Sequence, residues 1–140
     1  MPRTFAEKIF NAPADSIVFR KPDIVLTHDN TASIKKTFEK MGGGKVFDPA
    51  QLLVVLDHNA PPTNANLANN YQLIRDFVKE QGINNFYDAG RGICHQIMAL
   101  YAPPGMLIVG SDSHTCTSGA FNAFAAGIDR TEAAGIWSLG

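Results

Sequence analysis

The stretch LLVVLDHN, residues 52–59, sets five consecutive apolar residues directly before Asp57, His58 and Asn59. A continuous apolar run bounded by polar residues is typical of a strand that is buried on both faces, as the strands of parallel sheets are. After the loop at residues 60–64, apolar residues recur at helical spacing until Gly82. The stretch therefore predicts a buried strand, a polar loop at its carboxyl end and a covering helix.

The same order of strand, loop and helix is predicted three more times along the chain. It recurs in residues 23–41, in residues 85–96 and in residues 106–126, the last with a helix from about residue 118 to residue 126. Because neighbouring parallel strands need long right-handed connections, this alternation predicts the α/β class, with a mostly parallel sheet and helices on both faces. We expect a single domain over residues 1–140.

Three further elements are predicted at the margins of this pattern. Thr4 and Glu7 have the spacing of a capping box, which predicts a first helix that begins there and ends before residue 13. Residues 16–19, SIVF, predict a short strand. Asp129 and Glu132 repeat the capping spacing and predict the start of a last helix.

The composition argues against several classes of protein. The formal net charge is −1 and no basic cluster is present, so we expect no nucleic acid as a partner. The longest apolar runs, residues 52–56 and 106–109, are too short to cross a membrane. Cys94 and Cys116 occur without a secretion signal, which predicts reduced thiols and a cytoplasmic location.

The four histidines each follow a different predicted strand: His28, His58, His95 and His114. In open α/β sheets the loops at the carboxyl ends of the strands gather and bind ligands, so we expect the four rings to converge. Three aspartates lie next to these histidines or close to them: Asp29, Asp57 and Asp112. A carboxylate beside an imidazole suits general acid–base chemistry near neutral pH. The alternative is that Asp29 and Asp112 only cap the turns that follow them.

Two predicted helix starts at the same edge favour a small carboxylate-bearing substrate. Gly90 and Gly92 allow a tight turn before one of them, and residues 111–117 lead into the other. Two further classes stay open: a metallohydrolase that uses the histidines and aspartates as metal ligands, and a non-catalytic assembly domain.

Three motifs indicate a family: LDHN at residues 56–59, GRGICHQ at residues 90–96 and VGSDSHTCTSGA at residues 109–120. In this order and spacing they resemble the aconitase superfamily, and within it the branch of 3-isopropylmalate dehydratase and homoaconitase large subunits. The resemblance implies the N-terminal portion of a hydro-lyase that isomerises a hydroxy acid by removing and re-adding water. The favoured reaction is that of leucine biosynthesis, and the alternative is an aconitase-type, homoaconitase-type or related malate dehydratase.

The resemblance also implies roles for individual residues. It implies catalysis by five of them: Asp57, His58, His95, Asp112 and His114. It implies substrate binding by three others: His28, Ser113 and Thr117. Within the first set, Asp57 and His58 match the pair that helps to protonate the departing hydroxyl.

The cofactor that the resemblance implies is a [4Fe-4S] cluster, whose open iron acts as a Lewis acid on the hydroxyl. The cysteines that hold it are expected downstream of residue 140. Cys94 and Cys116 match positions that are not cluster ligands, so we expect no metal ligand in this chain and no cluster bound by it alone. The resemblance further implies a separate small subunit that carries a swivelling domain.

Overall fold

A computed structural model describes residues 2–140 and shows five parallel strands in one sheet. The strands are β1 (Ile24–Thr27), β2 (Leu52–Val55), β3 (Asn85–Tyr87), β4 (Leu107–Gly110) and β5 (Phe124–Gly127). Their order across the sheet is β3-β2-β1-β4-β5, and every neighbouring pair is parallel. The predicted α/β class with a parallel sheet is confirmed.

The centre of the sheet is formed by β1, which pairs with β2 on one side and with β4 on the other. Val25 lies opposite Leu52 of β2 and Val109 of β4. All residues of these three central strands from Ile24 to Thr27, from Leu52 to Val55 and from Leu107 to Val109 are buried. The chain adds β2 and β3 on one side of β1 and then β4 and β5 on the other side. The order of strands therefore has a topological switch point between β1 and β4, where a crevice opens at the carboxyl ends of the strands.

Five α-helices connect or flank the strands. They are α1 (Phe5–Phe10), α2 (Thr31–Lys40), α3 (Ala65–Gln81), α4 (Cys94–Met98) and α5 (Arg130–Leu139), and 3₁₀ helices span Pro49–Gln51 and Ser113–Phe121. Both predicted capping boxes are present, Thr4 with Glu7 and Asp129 with Glu132. Gly82 ends α3 in the left-handed conformation at φ +71°, which glycine adopts without steric cost.

Helices cover both faces of the sheet, as predicted. On one face α2, α3 and α5 bury an apolar cluster in which Trp137 stacks on Phe77 with ring centroids 5.1 Å apart. On the other face α4 and the segment after it pack Cys94, Ile97 and Met98 against the sheet. The strands therefore lie in the middle layer of three, and their carboxyl ends are left for loops.

The strand predicted at residues 16–19 is wrong. Ile17 and Phe19 are 90% and 98% exposed, and the segment pairs with no strand of residues 2–140. Val18 lies with Phe10 of α1 along a small pocket instead, and Arg20 donates a hydrogen bond to the carbonyl of Ile9. β-Branched and aromatic residues form a strand only where a pairing edge is available, and this segment lies against α1.

The helix predicted from about residue 118 to residue 126 is also wrong. The 3₁₀ helix already begins at Ser113, and the Ala-rich residues that follow form β5 beside β4. A Cβ on Gly127 would lie 3.0 Å from the carbonyl oxygen of Asp112 and 3.1 Å from the Cα of Ser113. Small residues are therefore needed for a close-packed strand here, and the pairing with β4 overrides local helix propensity.

No helix within residues 2–140 is both long enough and apolar enough to cross a membrane.

Candidate active site

The four histidines converge at the carboxyl edge of the sheet, as predicted. His28 directly follows β1, His58 follows β2, His95 lies in the first turn of α4, and His114 lies in the 3₁₀ helix after β4. The rings of His28 and His58 stack with centroids 3.8 Å apart, and those of His95 and His114 lie 6.0 Å apart. An open cleft of about 340 Å³ is lined by six residues: Asp57, His58, Ile93, His95, Asp112 and His114. That volume suits a small organic acid.

Asp112 is the centre of this edge. Its Oδ2 is 3.1 Å from Nε2 of His58, and its Oδ1 is 3.1 Å from Nε2 of His95 and 3.4 Å from Nδ1 of His114. Oδ1 also accepts the backbone N–H of His114 at 2.6 Å, so Asp112 caps the 3₁₀ helix as well. The carboxylate of Asp112 is only 10% exposed, and it contacts three imidazole rings as well as the first turn of the 3₁₀ helix.

His58 lies between two carboxylates. Its Nδ1 is 2.7 Å from Oδ1 of Asp57, and its Nε2 faces Asp112. Carboxylates only accept hydrogen bonds, so the ring satisfies both when each nitrogen carries a proton. Burial opposes that charge, but the hydrogen bonds and charges of Asp57 and Asp112 outweigh it and raise the pKa of His58. The ring of His58 is accordingly protonated more readily than a free imidazole.

The two aspartates are held ionised by the same contacts. Burial opposes the charge of Asp57, but the N–H of Cys94, at 2.6 Å from Oδ2, and the ring of His58 lower its pKa. Burial likewise opposes the charge of Asp112, whose pKa is lowered by the N–H of His114 and by His58. Each carboxylate therefore supports the imidazolium of His58.

His28 is the less basic member of the stacked pair. Burial, followed by the charge of His58, lowers its pKa. Its Nε2 is 3.3 Å from the carbonyl oxygen of Ser111, which only accepts, so the single proton belongs on Nε2. Its Nδ1 is buried and has no hydrogen-bond partner within residues 2–140. A neutral ring stacked on a charged ring avoids repulsion between two imidazolium ions.

We expect the His58 ring to keep its second proton at a pH at which the His28 ring is already neutral, since their pKa values move in opposite directions. An NMR titration of the ring nitrogens of the chain measures both midpoints. A midpoint of His28 at or above that of His58 would contradict the assignment.

The raised pKa of His58 also makes the free energy of unfolding depend on pH. Folding raises the pKa of His58 above its unfolded value of about 6.5, so its contribution to the free energy of unfolding is full below that pH and is lost as the pH rises through the folded pKa. His28 has the opposite sign. The difference in the free energy of unfolding between the chain and His58→Gln should therefore be larger at about pH 5.5 than at about pH 8.5.

The expected anion site at two open helix starts is not formed in that way. The first N–H of α4, that of Cys94, donates to Asp57, and the N–H of His114 donates to Asp112. A carboxylate of the chain itself thus occupies one N–H group at each of these helix starts.

The remaining predicted binding residues, Ser113 and Thr117, lie on the 3₁₀ helix that Asp112 caps. Ser113 is exposed, with its Oγ 3.4 Å from Nδ1 of His114, whose side chain is 78% exposed. Thr117 is exposed on the 3₁₀ helix, and its side chain makes no hydrogen bond within residues 2–140. Ser113 therefore contacts a residue of the cleft, His114, but it lines a separate pocket with residues 127–129. The structure gives Thr117 no contact with the cleft.

Sequence reasoning missed Ile93 and Tyr71. Ile93 is an exposed apolar side chain that lines the cleft, and its place inside the glycine-bearing turn before His95 was the available signal. Tyr71 donates its hydroxyl to Asp29 at 2.8 Å, and its helical spacing indicated only a core residue. Asp29 was grouped with His28, but it accepts hydrogen bonds from the loop after β2 instead.

Three groups at this edge have the composition of a metal site. His95, Asp112 and His114 offer one ligand atom each within 4.8 Å of one another, and His28 and His58 form a second such group with Asp112. Asp57, His58 and Cys94 form the third. Two imidazoles and a carboxylate, as in the first two groups, are a common donor set for zinc and iron. These two groups share Asp112, whose oxygens already contact the rings.

Comparison with known proteins gives a consistent set of matches. The model of the aconitase family (aconitate hydratase) matches residues 5–139. 3-Isopropylmalate dehydratase large subunit 1 of Methanopyrus kandleri is 42% identical over 149 residues, which covers 100% of this chain and 36% of that protein. The methanogen homoaconitase large subunit of Methanocaldococcus jannaschii is 44% identical over 119 residues, covering 84% of this chain and 28% of that protein. The chain spans about a third of the length of these curated relatives.

Proposed function

Because this chain belongs to the aconitase family, we propose that it forms the acid–base part of a hydro-lyase that isomerises a hydroxy acid by removing and re-adding water. The observation that carries the proposal is the His58 ring held between Asp57 and Asp112 at 2.7 and 3.1 Å. A hydroxyl leaves easily only as water, and an imidazolium at the edge of an open cleft is suited to supply that proton.

The other predicted residues complete the proposed site. His95 and His114, grouped around the same carboxylate, would bind and exchange protons with the acid's oxygens. His28, stacked on His58, and Ser113, beside His114, would contact the substrate, and Thr117 remains a prediction without a structural contact. As the substrate we propose 3-isopropylmalate, the acid in the name of the Methanopyrus kandleri relative, in leucine biosynthesis. Homoaconitase chemistry is the second candidate, since that name occurs among relatives of similar identity.

The family implies an iron–sulfur cofactor in general. The residues of this chain do not fit such a cluster, which needs three or four thiolates, because the chain has two cysteines. Burial, followed by the nearby Asp57, raises the pKa of the Cys94 thiol, which opposes a thiolate there. We propose that a [4Fe-4S] cluster takes its ligands from residues outside this chain.

Two parts of the proposal concern the surroundings of the protein. Both relatives are named as large subunits, which supports a separate small subunit as partner. Cys94 and Cys116 are free thiols, which supports a reducing, cytoplasmic location.

We expect the 140-residue chain alone neither to assemble a cluster nor to dehydrate a hydroxy acid. Anaerobic reconstitution with iron and sulfide, followed by absorbance and acid-labile sulfide analysis, distinguishes a cluster from loosely bound iron. One cluster per chain, with turnover of 3-isopropylmalate, would contradict the assignment of ligands outside the chain. Stoichiometric zinc in the purified chain, without sulfide, would instead favour the metallohydrolase that the histidine–aspartate groups permit.

A further inference from the structure

The carboxylate of Asp29 accepts hydrogen bonds from the loop after β2 and from α3. Its oxygens accept from four donors: the backbone N–H groups of Asp57 at 3.1 Å and His58 at 3.3 Å, the side-chain amide of Asn59 at 2.9 Å and the hydroxyl of Tyr71 at 2.8 Å. A carboxylate offers about four acceptor positions, so Asp29 is saturated. It is therefore a structural clamp on residues 57–59 and has no acceptor position free for a substrate.

Tyr71 gives this clamp a rigid support. Its side chain is 1% exposed and packs in the apolar cluster between α3 and the sheet. Burial, followed by the hydrogen bond to Asp29, raises the pKa of its hydroxyl, so the hydroxyl stays a donor at neutral pH. Tyr71 thus anchors the carboxylate of Asp29 to the core, and this carboxylate in turn fixes residues 57–59 by hydrogen bonds.

The side chains of the clamped loop carry the proposed chemistry. Asp57 holds Nδ1 of His58 and the N–H of Cys94, while the far side of the His58 ring must reach Asp112. A ring that bridges two carboxylates on different loops requires its own backbone to be fixed. The clamp on residues 57–59 supplies that restraint.

We propose that Asp29, held by Tyr71, is a positioning residue that keeps the His58 ring between Asp57 and Asp112. The inference deepens the hydro-lyase function proposed above and rests on it for its catalytic meaning. The contacts that carry it belong to residues of this chain alone, so it can be tested without any turnover.

The first test compares Tyr71→Phe with the matched control Tyr87→Phe. Each removes one phenolic hydroxyl from a hydrogen-bonded pair, since the hydroxyls of Tyr87 and Tyr101 are 2.8 Å apart on the opposite face of the sheet. We expect Tyr71→Phe alone to speed hydrogen exchange at the amides of Asp57 and His58 by about five- to tenfold. It should also move the ring pKa of His58 toward its ordinary value.

The second variant, Asp29→Asn, separates position from charge. Its amide cannot accept from all four donors, so we expect the same two effects at larger amplitude. Asp29→Asn removes a charge, whereas Tyr71→Phe removes a hydrogen bond and leaves the charge in place. If Asp29→Asn moved the pKa of His58 and Tyr71→Phe did not, Asp29 would act through its charge and the positioning role would be overturned. Amide exchange equal to that of Tyr87→Phe in both variants would overturn it as well.

Kinetics in an active enzyme that contains this chain give the last readout. A positioning role predicts that both variants lower kcat by about tenfold or more with KM nearly unchanged, because a small displacement of the reacting group acts on the chemical step. If the enzyme proved not to be a hydro-lyase while the NMR effects held, the proposed function would fail and the clamp would stand. If kcat and the NMR signals were both unchanged in the two variants, the positioning role of Asp29 would be overturned and the proposed hydro-lyase function would stand.

Discussion

Replacing His58 by glutamine in an active enzyme that contains this chain is expected to lower kcat about a hundredfold or more while KM changes only a few-fold. Proton transfer from a positioned side chain contributes roughly that much, and an amide cannot supply the proton. The NH₂ group of glutamine can donate to one of the two carboxylates that the ring contacts, Asp57 or Asp112, whereas its oxygen cannot donate to the other. The variant therefore removes the transferable proton while keeping a polar, uncharged side chain.

The measurement is steady-state kinetics with 3-isopropylmalate and with its dehydrated product. The stability of the variant at about pH 8.5 serves as the control, since the imidazolium contributes least there. An unchanged kcat would contradict the role of His58 as the acid. A rise in KM alone would make His58 a binding residue.

The sequence was sufficient to predict the elements that local rules decide. The apolar runs at residues 52–56 and 106–109 became β2 and β4 because a strand buried on both faces has no polar position. The capping spacings at Thr4 and Asp129 located two helix starts, since each box is closed within four residues. The convergence of the four histidines followed from topology, because every parallel strand ends at the same edge.

The rest depended on contacts between distant residues. The link between Asp29 and Tyr71 joins positions 42 residues apart, and Tyr71 has the spacing of an ordinary core residue. Arg75, one turn further along α3, donates two hydrogen bonds of 2.8 Å to Asp88 at the turn that leads to α4. One helix therefore restrains two loops of the site, and no local pattern predicts this.

Asp112 makes the contacts that both interpretations of the sequence require, those of a helix cap and those of a carboxylate beside imidazoles. As a cap it accepts the N–H of His114, and as a carboxylate it contacts the rings of His58, His95 and His114. Losing an N-cap costs about 1 kcal/mol of stability, whereas losing the charge leaves the imidazolium of His58 without one of its two partners. The two roles therefore predict different results for different substitutions.

Asp112→Ala removes both roles, and Asp112→Asn keeps a capping oxygen while removing the charge, because asparagine caps helices about as well as aspartate. We expect both variants to lose about a hundredfold or more in kcat and to lower the pKa of His58, since the hydrogen bond and charge of Asp112 help to raise it. At about pH 8.5, where the imidazolium of His58 contributes least, only Asp112→Ala should also lose about 1 kcal/mol in the free energy of unfolding. Denaturant unfolding and kinetics on the two variants separate the roles. If Asp112→Asn retained full turnover, the carboxylate would be a cap alone. The proton held by His58 would then depend on Asp57, its remaining partner at 2.7 Å.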